Sequence, residues 1–172
     1  MKYLPDIIDY DLHIVFVGYN PGLLSAELGH HYAGKSNGFW KLLAEAGLTP
    51  HRFRPEEDRQ LLSLGLGSVN IVDRPTRGAS ELSREEFQAG AARLHALLVE
   101  YRPKIACYLG LGVYRMFTGR KEVCTGLQEI SAVPGVLDYV CSSPSGLNRI
   151  PYSEQLWCFT GLRQLLDRIR ID

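Results

Sequence analysis

Residues 13–22 read HIVFVGYNPG, and this stretch decides the class of fold. The apolar run from His13 to Val17 predicts a short buried strand, and Gly18 predicts that the chain leaves it through a tight turn. The next loop holds Asn20 among two glycines and a proline, which restrict its backbone. Such a strand and loop are typical of α/β folds, where ligands bind beyond the carboxyl ends of the strands.

Apolar runs and amphipathic segments alternate along the rest of the chain. Further strands are predicted at 69–72, 105–109, 127–133 and 137–141. Helices are predicted from a cap at Ser36 or Asn37 to Gly47, from Pro55 to Gly65 and Gly67, from the capping box of Ser83 and Glu86 to Tyr101, over 112–117, and from Ser153 onward. This order predicts one three-layer α/β/α domain over residues 1–172 with a mainly parallel central sheet.

Composition limits the classes of protein to consider. The 172 residues hold 19 Lys plus Arg and 19 Asp plus Glu, so the net charge is zero and a histone-like polycation is excluded. Residues 1–11 contain Pro5 and three aspartates where a signal peptide needs an apolar run. The apolar runs are also far shorter than the ~20 residues that span a bilayer. We therefore expect no membrane association and a cytoplasmic protein, associated with the nucleoid if the source is bacterial.

The candidate metal ligands lack the spacing of a metal site. Cysteines 107, 124, 141 and 158 are 17 residues apart, and no pair has the CxxC spacing of zinc or iron–sulfur ligands. We expect buried or partly buried free thiols there. His30 and His31 are adjacent and could bind a metal, but no third ligand accompanies them. The sequence therefore predicts no metal site.

Two polar side chains after predicted strands are candidates for catalysis. Asn20 carries a carboxamide that can donate and accept, although Asn and Gly also suit an ordinary turn. Asn is not a strong base, so a catalytic Asn20 would position water or polarise a group. Asp73 is the best-placed carboxylate, and we hypothesise that it supplements Asn20 as a base or cation stabiliser. The alternative is that Asp73 pairs with Arg74 or caps the following turn.

Two more loops are unusual. Residues 142–149, SSPSGLNR, place an isolated Leu147 and Arg149 in a small polar loop. Leu147 could enter a base stack while Arg149 holds a phosphate or base edge, or Leu147 could tuck back on the core. Ser145 lacks the Gly-x-Ser-x-Gly elbow of a hydrolase nucleophile. The loop from Gly29 to Phe39 interleaves aromatic and basic residues, which suits base stacking and phosphate contact.

Five ordered motifs carry a family resemblance. They are GYNPG at 18–22, NGFWK at 37–41, AG at 46–47, VDRPT at 72–76 and PSGLNR at 144–149. The sequence resembles the mismatch-specific uracil-/thymine-DNA glycosylases, the second family of the uracil-DNA glycosylase superfamily, from about His13 to Arg149. The resemblance implies a central parallel sheet between helices. It also implies cofactor-independent hydrolysis of the bond between a flipped pyrimidine and deoxyribose, leaving an abasic site.

The resemblance also implies roles for individual residues. Asn20 would position and polarise the attacking water, and Tyr32 would stack on the flipped base. The substrate-binding set, including the backbone that would bind the pyrimidine edge, comprises Gly18, Tyr19, Ser25, Tyr32 and Ser143. The DNA-binding set, including the residues that would fill the gap in the duplex and read the widowed guanine, comprises Lys35, Ser145, Gly146, Leu147, Asn148 and Arg149. Ser143 departs from the family, where Asn commonly precedes Pro-Ser-Gly, and this puts discrimination among bases in doubt.

The expected partner is double-stranded DNA with G·U or a related mismatch, bound by a monomer. Thymine or ethenocytosine opposite guanine are further candidate substrates. Because no segment is a basic tract, phosphate contacts should be few, from Lys35, Arg149 and Arg74 or Arg77, with a salt dependence of about 2–4 phosphates. The alternatives are a non-catalytic module that binds mismatched DNA and a small-molecule nucleoside hydrolase, for which the Leu147 loop has no use.

Overall fold

A computed structural model of the protein describes residues 3–171. Its centre is a five-stranded sheet in the order β2-β1-β3-β5-β4, and only the β4–β5 pair is antiparallel. The strands are β1 (Ile14–Gly18), β2 (Leu66–Asn70), β3 (Ile105–Leu109), β4 (Gly126–Leu127) and β5 (Leu137–Cys141). The predicted α/β class with a mainly parallel sheet is confirmed.

Helices cover both faces of this sheet. They are α1 (Leu23–Leu28), α2 (Phe39–Glu45), α3 (Arg84–Tyr101), α4 (Leu111–Thr118) and α5 (Tyr152–Ile171), with 3₁₀ segments at Pro55–Leu64 and Ala79–Glu81. Alternate side chains of β1 point to opposite layers, as the strand period requires. Ile14 and Phe16 pack with α2 and α5, and Val15 and Val17 pack with α3 and α4. In the described part of the chain, no helix has the length and apolarity to cross a membrane.

The predicted capping box begins α3 and brings that helix close to the sheet. Ser83 Oγ accepts the Glu86 N–H at 3.1 Å, and Glu86 Oε2 accepts the Ser83 N–H at 2.7 Å. Further along, a Cβ on Gly90 would lie 2.3 Å from the Ile71 carbonyl oxygen. Only glycine permits this approach, which fixes α3 against the segment that follows β2.

The second strand differs from its prediction. It spans Leu66–Asn70 instead of 69–72, and Gly67 lies inside it, whereas we expected this glycine to end a helix. A Cβ on Gly67 would lie 2.5 Å from the Ile7 carbonyl oxygen. Ile7 and Ser68 exchange two backbone hydrogen bonds of 2.9 and 2.8 Å. Gly67 is therefore required for the approach of the N-terminal segment, a tertiary contact that local sequence does not reveal.

Three other expectations need correction. The strand predicted at 127–133 is limited to Gly126–Leu127, and beyond it the Ala132 N–H donates to the Asp138 carboxylate at 2.8 Å instead of to a neighbouring strand. The segment after Pro55 is 3₁₀ rather than α-helical, and α1 was not predicted. Three of the four free cysteines are buried as expected, but Cys124 is exposed.

Candidate active site

A cavity of about 680 Å³ lies at the carboxyl edge of the parallel strands. Its walls come from the loops after β1, β2 and β5 and from the loop between α1 and α2. Most of the predicted site residues line it: Gly18, Tyr19, Asn20, Ser25, Tyr32, Ser143, Ser145, Gly146, Leu147 and Asn148. Lys35, Asp73 and Arg149 are not among the residues that line it.

The carboxamide of Asn20 is held in one orientation. Its Nδ2 donates to the Arg74 carbonyl oxygen and to Thr76 Oγ1, both at 2.8 Å. The Thr76 hydroxyl gives its single hydrogen to the Gly78 carbonyl oxygen at 2.8 Å, so it must accept from Asn20. Both amide hydrogens of Asn20 are therefore in use, and Oδ1 is left as an acceptor that can orient a water molecule.

The backbone beside Asn20 presents unused donors. The Gly18 and Tyr19 carbonyl oxygens accept the N–H groups of Ile71 and Val72, both at 2.9 Å. The N–H groups of Tyr19 and Asn20 have no hydrogen-bond acceptor within residues 3–171. Backbone donors preorganised in a loop can stabilise negative charge that develops on a leaving group. The backbone beside Asn20 was expected to bind a pyrimidine edge, and its N–H groups at Tyr19 and Asn20 are free to do so.

The Tyr32 ring forms an aromatic wall of the cavity. The Phe39 ring stacks on it with centroids 3.7 Å apart and planes at 22°. Tyr32 has a φ of 53°, which is uncommon for a residue with a side chain and is typical of strained functional sites. Because Phe39 occupies one face, the opposite face is the one that a planar ligand can stack on.

A directional chain of hydrogen bonds anchors the Tyr32 hydroxyl. His31 Nε2 contacts the Pro5 carbonyl oxygen at 2.8 Å and must donate, because a carbonyl only accepts. Burial lowers the pKa of His31, so its Nδ1 is unprotonated and accepts from Ser68 Oγ at 2.9 Å. Ser68 Oγ in turn accepts from the Tyr32 hydroxyl at 2.9 Å. Burial also raises the pKa of Tyr32, which keeps this phenol protonated.

This chain of hydrogen bonds predicts that a ligand contacts the ring of Tyr32 and not its hydroxyl. We expect Tyr32→Phe to lower the free energy of unfolding by about 1 kcal/mol, since Ser68 loses one hydrogen bond. Any activity of the site should stay within about threefold of wild type, since the hydroxyl is already engaged inside the protein. Urea denaturation and single-turnover kinetics measure the two effects. A loss of activity beyond tenfold with an unchanged fold would show that the hydroxyl itself takes part.

The loop after β5 is folded by its own side chains and exposes one apolar residue. Asn148 Nδ2 donates to the Ser143 carbonyl oxygen, and its Oδ1 accepts the Ile150 N–H at 3.0 Å. The Asn148 side chain thus holds the conformation of the loop. Leu147 is 81 % exposed and does not tuck back on the core. Arg149 is exposed beside it.

Close packing joins this loop to the loop that carries Tyr32. A Cβ on Gly146 would lie 2.3 Å from Ser36 Oγ and 3.0 Å from the Ser36 carbonyl oxygen, so only glycine fits. The Gly38 N–H also donates to the Pro144 carbonyl oxygen at 2.9 Å. The exposed Leu147 and the aromatic wall are therefore held in a fixed relation.

Asp73 and Arg74 lie in positions that sequence reasoning did not foresee. Asp73 Oδ1 pairs with Arg93 Nη2 at 3.1 Å, and its side chain is 49 % exposed. Arg74 Nε instead contacts Glu86 Oε1 at 2.6 Å and lowers the pKa of Glu86 to about 2. Arg74 is therefore engaged with α3 and is a poor candidate for a phosphate contact. Asp73 therefore pairs with Arg93 and not with Arg74, and it is not among the residues that line the cavity.

Two residues of the site were missed. Thr76 is buried and sets the orientation of Asn20, as described above. Asn70 ends β2 and lines the cavity, and its carboxamide makes no hydrogen bond within the described residues. Gly18 makes room for it, since a Cβ there would lie 2.7 Å from Asn70 Oδ1. The signal for Asn70 was a polar residue at a strand end, which the misplaced strand at 69–72 concealed.

Comparison with known proteins identifies the family to which the chain belongs. The sequence profile of the uracil DNA glycosylase superfamily matches residues 5–167. The chain belongs to this superfamily. The solution NMR structure of a protein from Methanosarcina acetivorans, provisionally named a uracil DNA glycosylase, has a similar fold with a TM-score of 0.66 and 18 % sequence identity. The similarity covers 96 % of this chain and 98 % of that one.

Membership of the uracil DNA glycosylase superfamily assigns the chain a general role in DNA repair. It is a DNA glycosylase, a hydrolase that acts on DNA. In open α/β sheets, ligands bind beyond the carboxyl ends of the strands, which makes the cavity at this edge the candidate site.

Proposed function

We propose that this DNA glycosylase removes uracil opposite guanine, flipping the base into the cavity beside Asn20 and leaving an abasic site. The observation that carries the proposal is the fixed Asn20 carboxamide, whose Oδ1 accepts no hydrogen bond within the described residues and which lines the same cavity as Tyr32. Related lesions opposite guanine, thymine and ethenocytosine, are further candidate substrates.

The proposed chemistry needs little from titrating side chains. Cleavage passes through an oxocarbenium-like state, so the leaving base becomes anionic and a water must reach the sugar. The free N–H groups of Tyr19 and Asn20 are suited to the base, and Asn20 Oδ1 is suited to the water. No Asp or Glu lines the described part of the cavity, which implies modest rates and a structural role for Asp73 in its pair with Arg93.

We propose that three groups recognise the flipped nucleotide and its partner. The Tyr32 ring stacks on the base, and the Asn70 carboxamide pairs with the donor and acceptor on the pyrimidine edge. Leu147 enters the gap in the duplex, with Arg149 beside it to read the widowed guanine or hold a phosphate. Ser25 Oγ already accepts the Ala33 N–H at 3.0 Å, so Ser25 contributes by shaping the Tyr32 loop. We place the protein as a monomer where DNA is accessible, in the cytoplasm or nucleoid.

A duplex with one G·U pair tests this function. We expect alkali-sensitive strand breakage at the uracil under single-turnover conditions and none in the matched G·C duplex. Binding without breakage would support the non-catalytic module, and release of free bases from nucleosides alone would support the nucleoside hydrolase. In the same assay, Asn70→Ala should reduce the preference for uracil over cytosine opposite guanine, because cytosine presents the opposite donor and acceptor on the edge that Asn70 would contact. An unchanged preference would remove Asn70 from base recognition.

A further inference from the structure

A second concave surface adjoins the catalytic cavity and has a different charge. This basic groove, of about 390 Å³, is lined by Lys35, Arg52 and Arg54 around Tyr32, Trp40 and Phe53. It shares Tyr32, Gly34 and Asn37 with the catalytic cavity. The two concavities therefore meet at the ring that we assign to base stacking.

The cations of the groove are available to a ligand. Lys35 and Arg52 are exposed and form no ion pair within the described residues. Arg54 is 76 % exposed, and its Nη2 lies 3.8 Å from Glu57 Oε1, beyond hydrogen-bond distance. Glu57 uses its other oxygen to accept the Arg54 N–H at 2.7 Å, which caps the 3₁₀ segment. By contrast, the guanidinium of Arg74 is held by Glu86.

The lining of the groove favours an anionic ligand. No acidic side chain lines it within residues 3–171, although the whole chain is electrically neutral. By comparison, the described lining of the catalytic cavity includes one Arg or Lys side chain, Arg77. Three cations in one groove without an acidic side chain in its lining favour a ligand with repeated negative charge, which is the chemistry of a nucleic-acid backbone.

We propose that the basic groove binds the phosphates that flank the flipped nucleotide in the substrate strand. This inference rests on the proposed function, because it is the flipped base in the cavity that places its neighbouring phosphates beside Tyr32. Lys35, Arg52 and Arg54 contact those phosphates. The groove thus supplies most of the few phosphate contacts that a neutral protein can make.

Salt-dependent affinity for a G·U duplex tests the groove. Binding is measured by fluorescence anisotropy in an Asn20→Ala background, so that the substrate stays intact. The wild-type groove should give a log–log slope equivalent to about 2–4 phosphates. Arg52→Ala with Arg54→Ala should raise Kd by about tenfold at low salt and reduce the slope by about 2. Arg168→Ala is the matched control, because Arg168 is exposed in the last turn of α5, at the opposite end of that helix from the loop after β5, and it should change neither quantity.

Truncated substrates identify the bound segment. Nucleotides are removed from the uracil strand on the 5′ side in one duplex and on the 3′ side in another. One truncation should weaken binding and abolish the difference between the groove variant and its parent. A difference that survives both truncations, or a variant that binds like its parent, would overturn the proposal. Uracil excision by the wild-type protein is scored separately, so failure of the proposed function is distinguished from failure of the groove.

Discussion

Replacing Asn20 with alanine should lower the single-turnover rate of uracil excision by about 10³-fold, the scale set by loss of one preorganised polar group in an active site. Alanine removes the Oδ1 acceptor that orients the water and the two amide donors that brace the loop. Affinity for the G·U duplex should change by less than about threefold, because the stacking and wedge residues remain. Single-turnover excision and anisotropy on the same duplex measure both quantities.

Asp73→Asn is the matched variant for this test, because it also alters a polar group near the Asn20 loop. The pair between Asp73 and Arg93 is partly exposed, so its loss should cost at most about 1 kcal/mol of stability. The excision rate should stay within about twofold of wild type. If Asp73→Asn were inactive while Asn20→Ala kept most of its rate, the assignment of the two residues would have to be reversed.

Replacing Leu147 with alanine should slow uracil excision from duplex DNA much more than excision from single-stranded DNA. Extracting a base from a duplex costs a few kcal/mol, and a wedge that fills the vacated space offsets part of it. Loss of about 2 kcal/mol of this compensation would lower excision from a G·U duplex by about 30-fold. Single-stranded DNA has no stack to interrupt, so the rate there should fall by less than about threefold.

Ile150→Ala provides the control for this comparison. Ile150 is apolar and exposed three residues beyond Leu147, but it does not line the catalytic cavity. Its replacement should leave the ratio of duplex to single-strand rates unchanged. An equal loss on both substrates for Leu147→Ala would mean that Leu147 supports the loop instead of entering the duplex.

Sequence reasoning was most successful where short motifs determine local structure. The apolar run before Gly18 gave β1, and the pairing of Ser83 with Glu86 gave the start of α3. Most of the predicted site residues line one cavity, because loops after parallel strands converge at the same edge of the sheet. These features depend on residues close together in the chain.

The missed features depend on contacts between distant segments. Gly67 resembles a helix terminator in sequence, but its place in β2 follows from the approach of Ile7. Asp73 seemed free to act on water, but Arg93 comes from the middle of α3 to pair with it. The role of Thr76 in orienting Asn20 became visible only when the hydrogen-bond directions could be traced to Gly78. A single sequence contains no local sign of such pairings.

The fit of Gly146 against Ser36 has a consequence for the mechanics of damage search. Close packing already joins the loops that carry Leu147 and Tyr32. If these residues act as proposed, binding a lesion would require little ordering of the protein, and most of the conformational change would occur in the DNA. The enzyme would then sense first how easily a base pair opens, and the contacts proposed for Asn70 would act only on a base that has entered the cavity. Pairs that are already weak, such as G·U, would be sampled most often.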